Sequence, residues 1–337
     1  MSRRRWLQAA GLLIVGLLIL YGLLRSVHPT EVAAAIRRAS LGWVLLGMLS
    51  SLGFLAIRSW RWQLILSASS DRATFGDAAA VTAVGFGVNS VSPFKLGELL
   101  RIGMIAQRTD VGIGEAGATV VLERVLDVLA LLVLAIATAL LSGERSNAGG
   151  VWSGLAVLSA ISLAVGIGAY VMILNRTRTV SVVERLSRFL PDRLREPVVN
   201  LTDSVLRGLA LLRSPQRFAT SGLLSLVIWV IPTLGLVAYF RAVSPNLPFM
   251  TLYLALTLFV ITQAISVTPG SVGTYEGLFL LVLSAFQGGP ASTLAAVAVI
   301  SHVGGIAALL LAAALGAVWL RLNRLPLPVR AQSALSS

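Results

Sequence analysis

Ser90–Gly97, SVSPFKLG, and Ser266–Gly273, SVTPGSVG, are two closely similar interruptions of long apolar stretches. Four of the eight positions are identical, and Ser/Thr and Leu/Val exchanges account for two more. A glutamate follows each, Glu98 directly and Glu276 three residues on. Proline removes a backbone donor and crowds the preceding turn of a helix. Paired interruptions in corresponding places of a membrane protein point to a binding site built from discontinuous helices. Their backbone groups would be costly in lipid, so both breaks must face protein or a water-filled cavity.

The chain around them is built for lipid. Hydrophobic residues make up 56% and charged residues 12% of the 337, against about 45–50% and about 25% in soluble domains. Crossing a hydrocarbon core takes roughly 20 apolar residues. Runs of that order lie at 7–24, 41–66, 117–141, 151–174, 218–240, 252–267 and 291–320, with shorter ones at 78–91 and 275–286. The expected fold is an all-α polytopic membrane protein, with about 6–8 transmembrane helices plus two broken or re-entrant elements, in one membrane domain over 1–337. The first run follows Arg3, Arg4 and Arg5 and lacks a small-residue cleavage site, so an uncleaved first span is expected rather than a signal peptide.

Net charge is +13, and nine arginines fall within residues 175–217. Loops rich in Lys and Arg stay in the cytoplasm, so 175–217 reads as a cytoplasmic basic loop, with both termini on the same side. Anionic lipid headgroups suit such a loop. Nucleic acid does not, because no aromatic platform is interleaved with the basic residues. The offset of 176 between the two breaks also carries residue 41 to 217 and residue 117 to 293, near the starts of corresponding spans. By the charge bias those spans run in opposite senses. The chain therefore reads as an inverted repeat with halves of approximately 1–145 and 146–337, and Pro93 and Pro269 should lie close together.

Several polar residues stand where apolar ones are expected. Glu123, Arg124 and Asp127 sit inside the 117–141 span, Glu123 about 9 Å from its start at 1.5 Å per residue. Ionisable groups at such depth cost at least about 2.5–3.5 kcal/mol each and normally face an interior. The alternative is a mutual ion pair that fixes packing, yet two acids and one base leave an acid over. The triplet should line an internal cavity shared with Arg58 or Arg101. Arg58 and Arg61, flanked by Trp60 and Trp62, read either as interface anchors or as a phosphate site. Glu98 and Arg101 add charge at the same level. Lys95 is the sole lysine of the chain. Asn89, Ser90 and Gln263 offer uncharged hydrogen-bonding groups just before the breaks. His302, within the last span, reads as a packed hydrogen-bonding residue.

Other chemistries lack their residues. GIGEAG at Gly112–Gly117 has the dinucleotide spacing, but no strand precedes it. There is no Walker A loop, so no ATP-driven pump is expected. With no cysteine and two histidines, neither disulfide nor catalytic metal is expected, and no cofactor is implied.

RSWRW at Arg58–Trp62, NSVSPFKLGELLR at Asn89–Arg101, ERVLD at Glu123–Asp127 and PGSVGTYE at Pro269–Glu276 together resemble the flippase-like transmembrane region of lysylphosphatidylglycerol synthases. The resemblance covers essentially the whole chain. It implies a multi-pass protein of a bacterial-type inner (plasma) membrane that handles a phospholipid or polyprenyl-linked glycolipid. Its motif residues would be Arg58, Asn89, Pro93, Gly97, Glu98, Arg101, Glu123, Arg124, Asp127, Pro269, Gly273 and Glu276. Bifunctional members append an aminoacyl-transferase domain, and with this sequence ending at Ser337 lysyl transfer is not expected to carry over.

The expected function is lipid translocation. Arg58, Arg61, Arg101 and Arg124 would meet an anionic headgroup on a path that also touches Asn89, Ser90, Lys95, Gln263, Gly270 and the two breaks. Glu98, with Lys95 and Arg101 within a turn, should stay ionised, whereas Glu276, far from any preceding basic residue, should carry a coupling proton. The alternative is a membrane-embedded transferase or an accessory subunit in glycolipid synthesis, and a lipid-binding scaffold is a third reading. Membrane lipids are the expected partners, with lipid-synthesis enzymes as possible ones.

Overall fold

The computed structural model describes residues 3–92, 95–142, 175–189, 198–200, 204–206, 214–244, 248–263 and 268–323, with single positions 160, 168, 202, 208 and 209. The described elements are α-helical: α1 Arg3–Ser26, α2 Pro29–Arg38, α3 Leu41–Leu66, α4 Phe75–Asn89, α5 Leu96–Arg108, α6 Ile113–Ser142, α7 Arg176–Ser187, α8 Pro215–Val243, α9 Phe249–Thr262, α10 Thr274–Ala285 and α11 Ala291–Leu322. A 3₁₀ turn, Pro269–Ser271, stands between α9 and α10. This is the expected all-α, multi-pass membrane architecture. Helices α3, α8 and α11 are long and apolar enough to cross a membrane, and α9 and α10 are shorter apolar helices. The expected span at 117–141 falls inside α6, whereas the one at 151–174, most of the basic loop, and Pro93 lie outside the described residues.

Both breaks fall where proline and glycine interrupt the apolar pattern, and each joins two short helices that pack on one another, α4 with α5 and α9 with α10. These helices have 15, 13, 14 and 12 residues. At 1.5 Å per residue each is about 18–23 Å long, too short to cross a core of about 30 Å alone. The long spans hold them in place: α8 lies along α3 and α11 along α4. Small residues permit that close approach, with Gly235 set against Ser50 and Gly87 against Ala313.

Two apolar clusters flank the centre. Phe240, Leu252, Leu256, Phe259, Phe279 and Leu294 bind α8–α11 together, and Trp62, Leu66, Val81, Ile105 and Val120 bind α3–α6. On the outside Leu45, Leu49, Leu311 and Leu315 remain exposed, as the lipid-facing sides of α3 and α11 require.

Candidate functional site

The Glu123–Asp127 triplet of α6 meets arginines from two other helices. The Arg58 Nη2 donates to Asp127 Oδ2 at 2.7 Å, and Arg61 donates to Asp127 Oδ1 at 2.8 Å and to Glu123 Oε1 at 3.2 Å. Arg101 donates to Glu123 Oε2 at 2.8 Å and to Glu98 Oε2 at 3.1 Å. Arg61 also donates to the Ser225 hydroxyl of α8 at 2.6 Å. Arg58, Arg61, Arg101 and Glu123 are completely buried, and Asp127 nearly so. Removing such charges from water costs several kcal/mol apiece, recovered only where geometry and hydrogen bonds are good.

Four guanidinium groups, counting Arg124, face three carboxylates, so the cluster retains one positive charge. Its donors are not all used: Arg58 Nε and Nη1, Arg61 Nε and Arg101 Nε are buried without a hydrogen-bond acceptor. Aromatic faces compensate in part. Arg101 lies 4.1 Å from the Trp62 ring centroid, and Arg58 lies 5.5 Å from Phe54 and 5.0 Å from Phe86. Among the described residues the cluster reaches the surface at one edge. There Arg124, 41% exposed, pairs with Glu98, 16% exposed, and approaches Asp127 at 3.5 Å. Lys95, exposed and held at φ 52°, stands one residue before α5.

Two sequence expectations change here. Arg58, Arg61 and Trp62 are not interface anchors, since all three are enclosed by protein, and the Trp62 indole donates to Thr119 at 3.0 Å. Trp60 is half exposed and fits the anchor role. The triplet does pack with Arg58 and Arg101, but in an ion network whose residues do not line the cavity between the two breaks.

That cavity, about 310 Å³, lies between the two breaks. Asn89 and Ser90 come from the first break, Gln263, Gly270, Ser271 and Tyr275 from the second, and Ser50, Ser51, Trp229, Pro232, Ser301 and His302 from α3, α8 and α11. The breaks touch: a side chain added at Gly270 would meet the Ser90 carbonyl at 3.0 Å. Pro269 is buried beside it.

Each break closes on its motif glycine. In the first, the Asn89 side-chain oxygen accepts from Gly97 N–H at 2.7 Å, and Gly97 packs on the Gly85 carbonyl with no room for a Cβ. In the second, Glu276 Oε2 accepts from Gly273 N–H at 2.8 Å, satisfying one of the donors a helix start leaves free. Gly273, at φ 77°, faces the Gly16 backbone of α1.

The residues before Glu276 offer it no nearby basic partner. The partner comes afterwards. His302 Nδ1 lies 2.6 Å from Glu276 Oε1, and His302 Nε2 lies 2.8 Å from the Gly270 carbonyl. A carbonyl only accepts, so Nε2 carries a hydrogen, and one further proton is shared between Nδ1 and the carboxyl. Tyr275 stacks on the His302 ring at 4.3 Å and its hydroxyl meets Ser301 at 3.0 Å. His302, Trp229 and the Ser50–Ser51 pair were absent from the expected site. A polar Ser–His pair amid the apolar α11, and two serines in α3, were the available signals.

No group of three or more His, Cys, Asp or Glu suited to a metal occurs among the described residues.

Comparison with known proteins bears on this arrangement. The family model described as the lysylphosphatidylglycerol synthase TM region matches residues 8–316. A UPF0104 membrane protein of Methanothermobacter thermautotrophicus is 21% identical over 311 residues, covering 88% of this chain and 90% of the relative. The glycosyltransferase AglD of Haloferax volcanii is 25% identical over 347 residues, covering 91% of this chain and 54% of the relative. The chain thus spans about half the length of AglD.

Proposed function

Because the chain belongs to the lysylphosphatidylglycerol synthase transmembrane-region family, we propose that it translocates a lipid with an anionic headgroup across a bacterial-type inner (plasma) membrane, with both termini cytoplasmic. One observation carries the reading: a buried arginine cluster with one positive charge to spare and unsatisfied donors, open to the outside, among the described residues, through Arg124 and Glu98. Guanidinium groups bind phosphate in bidentate fashion. The headgroup phosphate enters at Lys95 and Arg124, displaces the Glu98 carboxylate, and is held by the field of Arg58 and Arg101. Arg61 is committed to Glu123, Asp127 and Ser225 and acts by holding the cluster in place. The cavity between the breaks, at the level where the three long helices pass their midpoints, is the next station, as in carriers that bind substrate near the bilayer midplane. The inverted repeat would allow alternating exposure of that cavity, and the proton shared by Glu276 and His302 is the candidate coupling ion.

The test is reconstitution of the full chain in liposomes bearing tail-labelled phosphatidylglycerol or phosphatidylcholine. Faster transbilayer movement of the anionic lipid than of the zwitterionic one is expected. Equal rates with and without protein would refute the reading.

The second reading is a transferase or accessory subunit in glycolipid synthesis, with lipid-synthesis enzymes as partners. The AglD relative favours it, and glycosyl transfer by the purified chain without lipid movement would establish it instead.

A further inference from the structure

The cavity between the breaks is chemically unlike the arginine cluster beside it. Two of its lining donors, Trp229 Nε1 and Gln263 Nε2, are buried with no acceptor. Buried donors of this kind are rare and call for an occupant. Two lining hydroxyls present the opposite need: Ser50 donates to the Gly47 carbonyl at 2.6 Å and Ser90 to the Gly87 carbonyl at 2.7 Å. With their hydrogens engaged on their own helices, they turn lone pairs to a ligand. The wall therefore offers donors and acceptors together. A hydroxyl group satisfies both, because it donates and accepts, whereas a phosphate only accepts.

Charge points the same way. Among the described lining residues His302 is the one side chain that can be cationic, and its proton is shared with Glu276, so the pair is neutral in sum whichever atom holds it. A phosphate lodged here would be a buried anion without a counter-charge, which is strongly disfavoured. A volume of about 310 Å³ falls at the lower end of the roughly 300–1,000 Å³ usual for small-molecule sites. Adjacency to the cluster is structural. Phe54 of α3 stacks edge-on to Phe86 at 5.5 Å and lies 6.0 Å from Trp229, and the Arg58 guanidinium lies over both phenylalanine rings. Through these rings Trp229, on the cavity wall, is linked to Arg58 in the charged cluster.

We propose that this cavity is a subsite for the uncharged, hydroxyl-bearing part of the headgroup, a glycerol or a sugar, with the phosphate held at the adjoining arginine cluster. The assignment of the phosphate rests on the function proposed above; the hydroxyl subsite rests on the cavity itself.

The full chain in nanodiscs is given two matched pairs of lipids: phosphatidylglycerol against phosphatidic acid, and monoglucosyl diacylglycerol against diacylglycerol. Bound lipid is counted by native mass spectrometry. The hydroxylated member of at least one pair is expected to bind about tenfold tighter, the size of two neutral hydrogen bonds, and the pair with the larger preference tells glycerol from sugar. In the double variant Trp229→Phe, Gln263→Leu the preference should vanish while phosphatidic acid binds as before. Both changes remove an unsatisfied buried donor, which offsets the packing lost where the indole becomes a phenyl ring, so the variant should melt close to the temperature of the parent. No preference in either pair, or a preference that survives the double variant, would overturn the subsite. A preference confined to the uncharged pair, with phosphatidic acid failing to bind, would uphold the subsite and overturn the phosphate reading instead.

Discussion

The two breaks share half of their eight residues, and both secure the N–H of the motif glycine with a side-chain oxygen, yet they sit in opposite electrostatic settings. At the first, the oxygen belongs to Asn89, eight residues before Gly97. The acid that follows, Glu98, is released from the backbone and joins Arg101 and Arg124. At the second, the acid itself does the capping: Glu276 reaches back three residues to Gly273 and uses its other oxygen for His302. The same local need, an unpaired N–H at a helix start, is thus met by a neutral group at one break and by the glutamate at the other. What differs is which glutamate is free to meet a ligand. The comparison assigns ligand exchange to Glu98, and to Glu276 the capping of α10 together with the proton it shares with His302.

The sharpest way to break this comparison is to neutralise one acid in each setting. Glu123→Gln leaves Arg61 and Arg101 short of a counter-charge in a fully buried site, and should cost about 3–5 kcal/mol of stability, seen as a large fall in melting temperature in detergent. Glu276→Gln can keep every bond, its oxygen accepting from Gly273 and its amide donating to His302 Nδ1, so it should stay within about 1 kcal/mol of the parent. Comparable losses in both variants would mean that the second site is also held by charge.

Steric changes sharpen the same contrast. Gly273→Ala places a Cβ at positive φ against the Gly16 backbone, and Gly97→Ala drives one into the Gly85 carbonyl. Each should cost about 1–3 kcal/mol, with the Gly97 change also disturbing Arg101, which packs against Gly85. Helix-terminal alanines that leave both the melting temperature and lipid binding unchanged would argue against close packing at the breaks.

The smallest effect belongs to the connection between α5 and α6, outside both sites. A hydrogen bond from the Ser70 hydroxyl holds the Asp110 carboxyl below its ordinary value of 3.8. A depressed acid contributes stability above its unfolded value, and that contribution is lost as pH falls through the folded one. Ser70→Ala should therefore lower the melting temperature slightly at neutral pH and make no difference in strong acid. The exposed setting keeps the change small.

The paired breaks, the helical class and the charged triplet were legible in the sequence, because proline, glycine and charge inside apolar runs are local signals. The partners were not. Arg58 and Asp127 are 69 positions apart and Arg101 and Glu123 are 22 apart, and one-dimensional spacing reveals only neighbours three or four residues away on a single helix. The triplet's surplus acid pointed correctly to outside partners, but packing of α3, α5 and α6 decided that arginines would outnumber acids. For the same reason Arg58 and Trp62 read as interface residues: a helix end at a bilayer surface and one enclosed by neighbouring helices have the same sequence. His302 was legible as a hydrogen-bonding residue and not as the partner of Glu276, since the contact exists only once α10 lies on α11.

The central claim is that phosphate enters at the open edge of the arginine cluster. The most direct measurement is the rate of phosphatidylglycerol movement in liposomes containing either the parent chain or the double variant Lys95→Gln, Arg124→Gln. Both side chains reach solvent, so the fold should survive, as its melting temperature will report. Loss of charged hydrogen bonds of about 1.5–3 kcal/mol each should slow movement by at least about tenfold. Unchanged movement in a correctly folded variant would contradict the account.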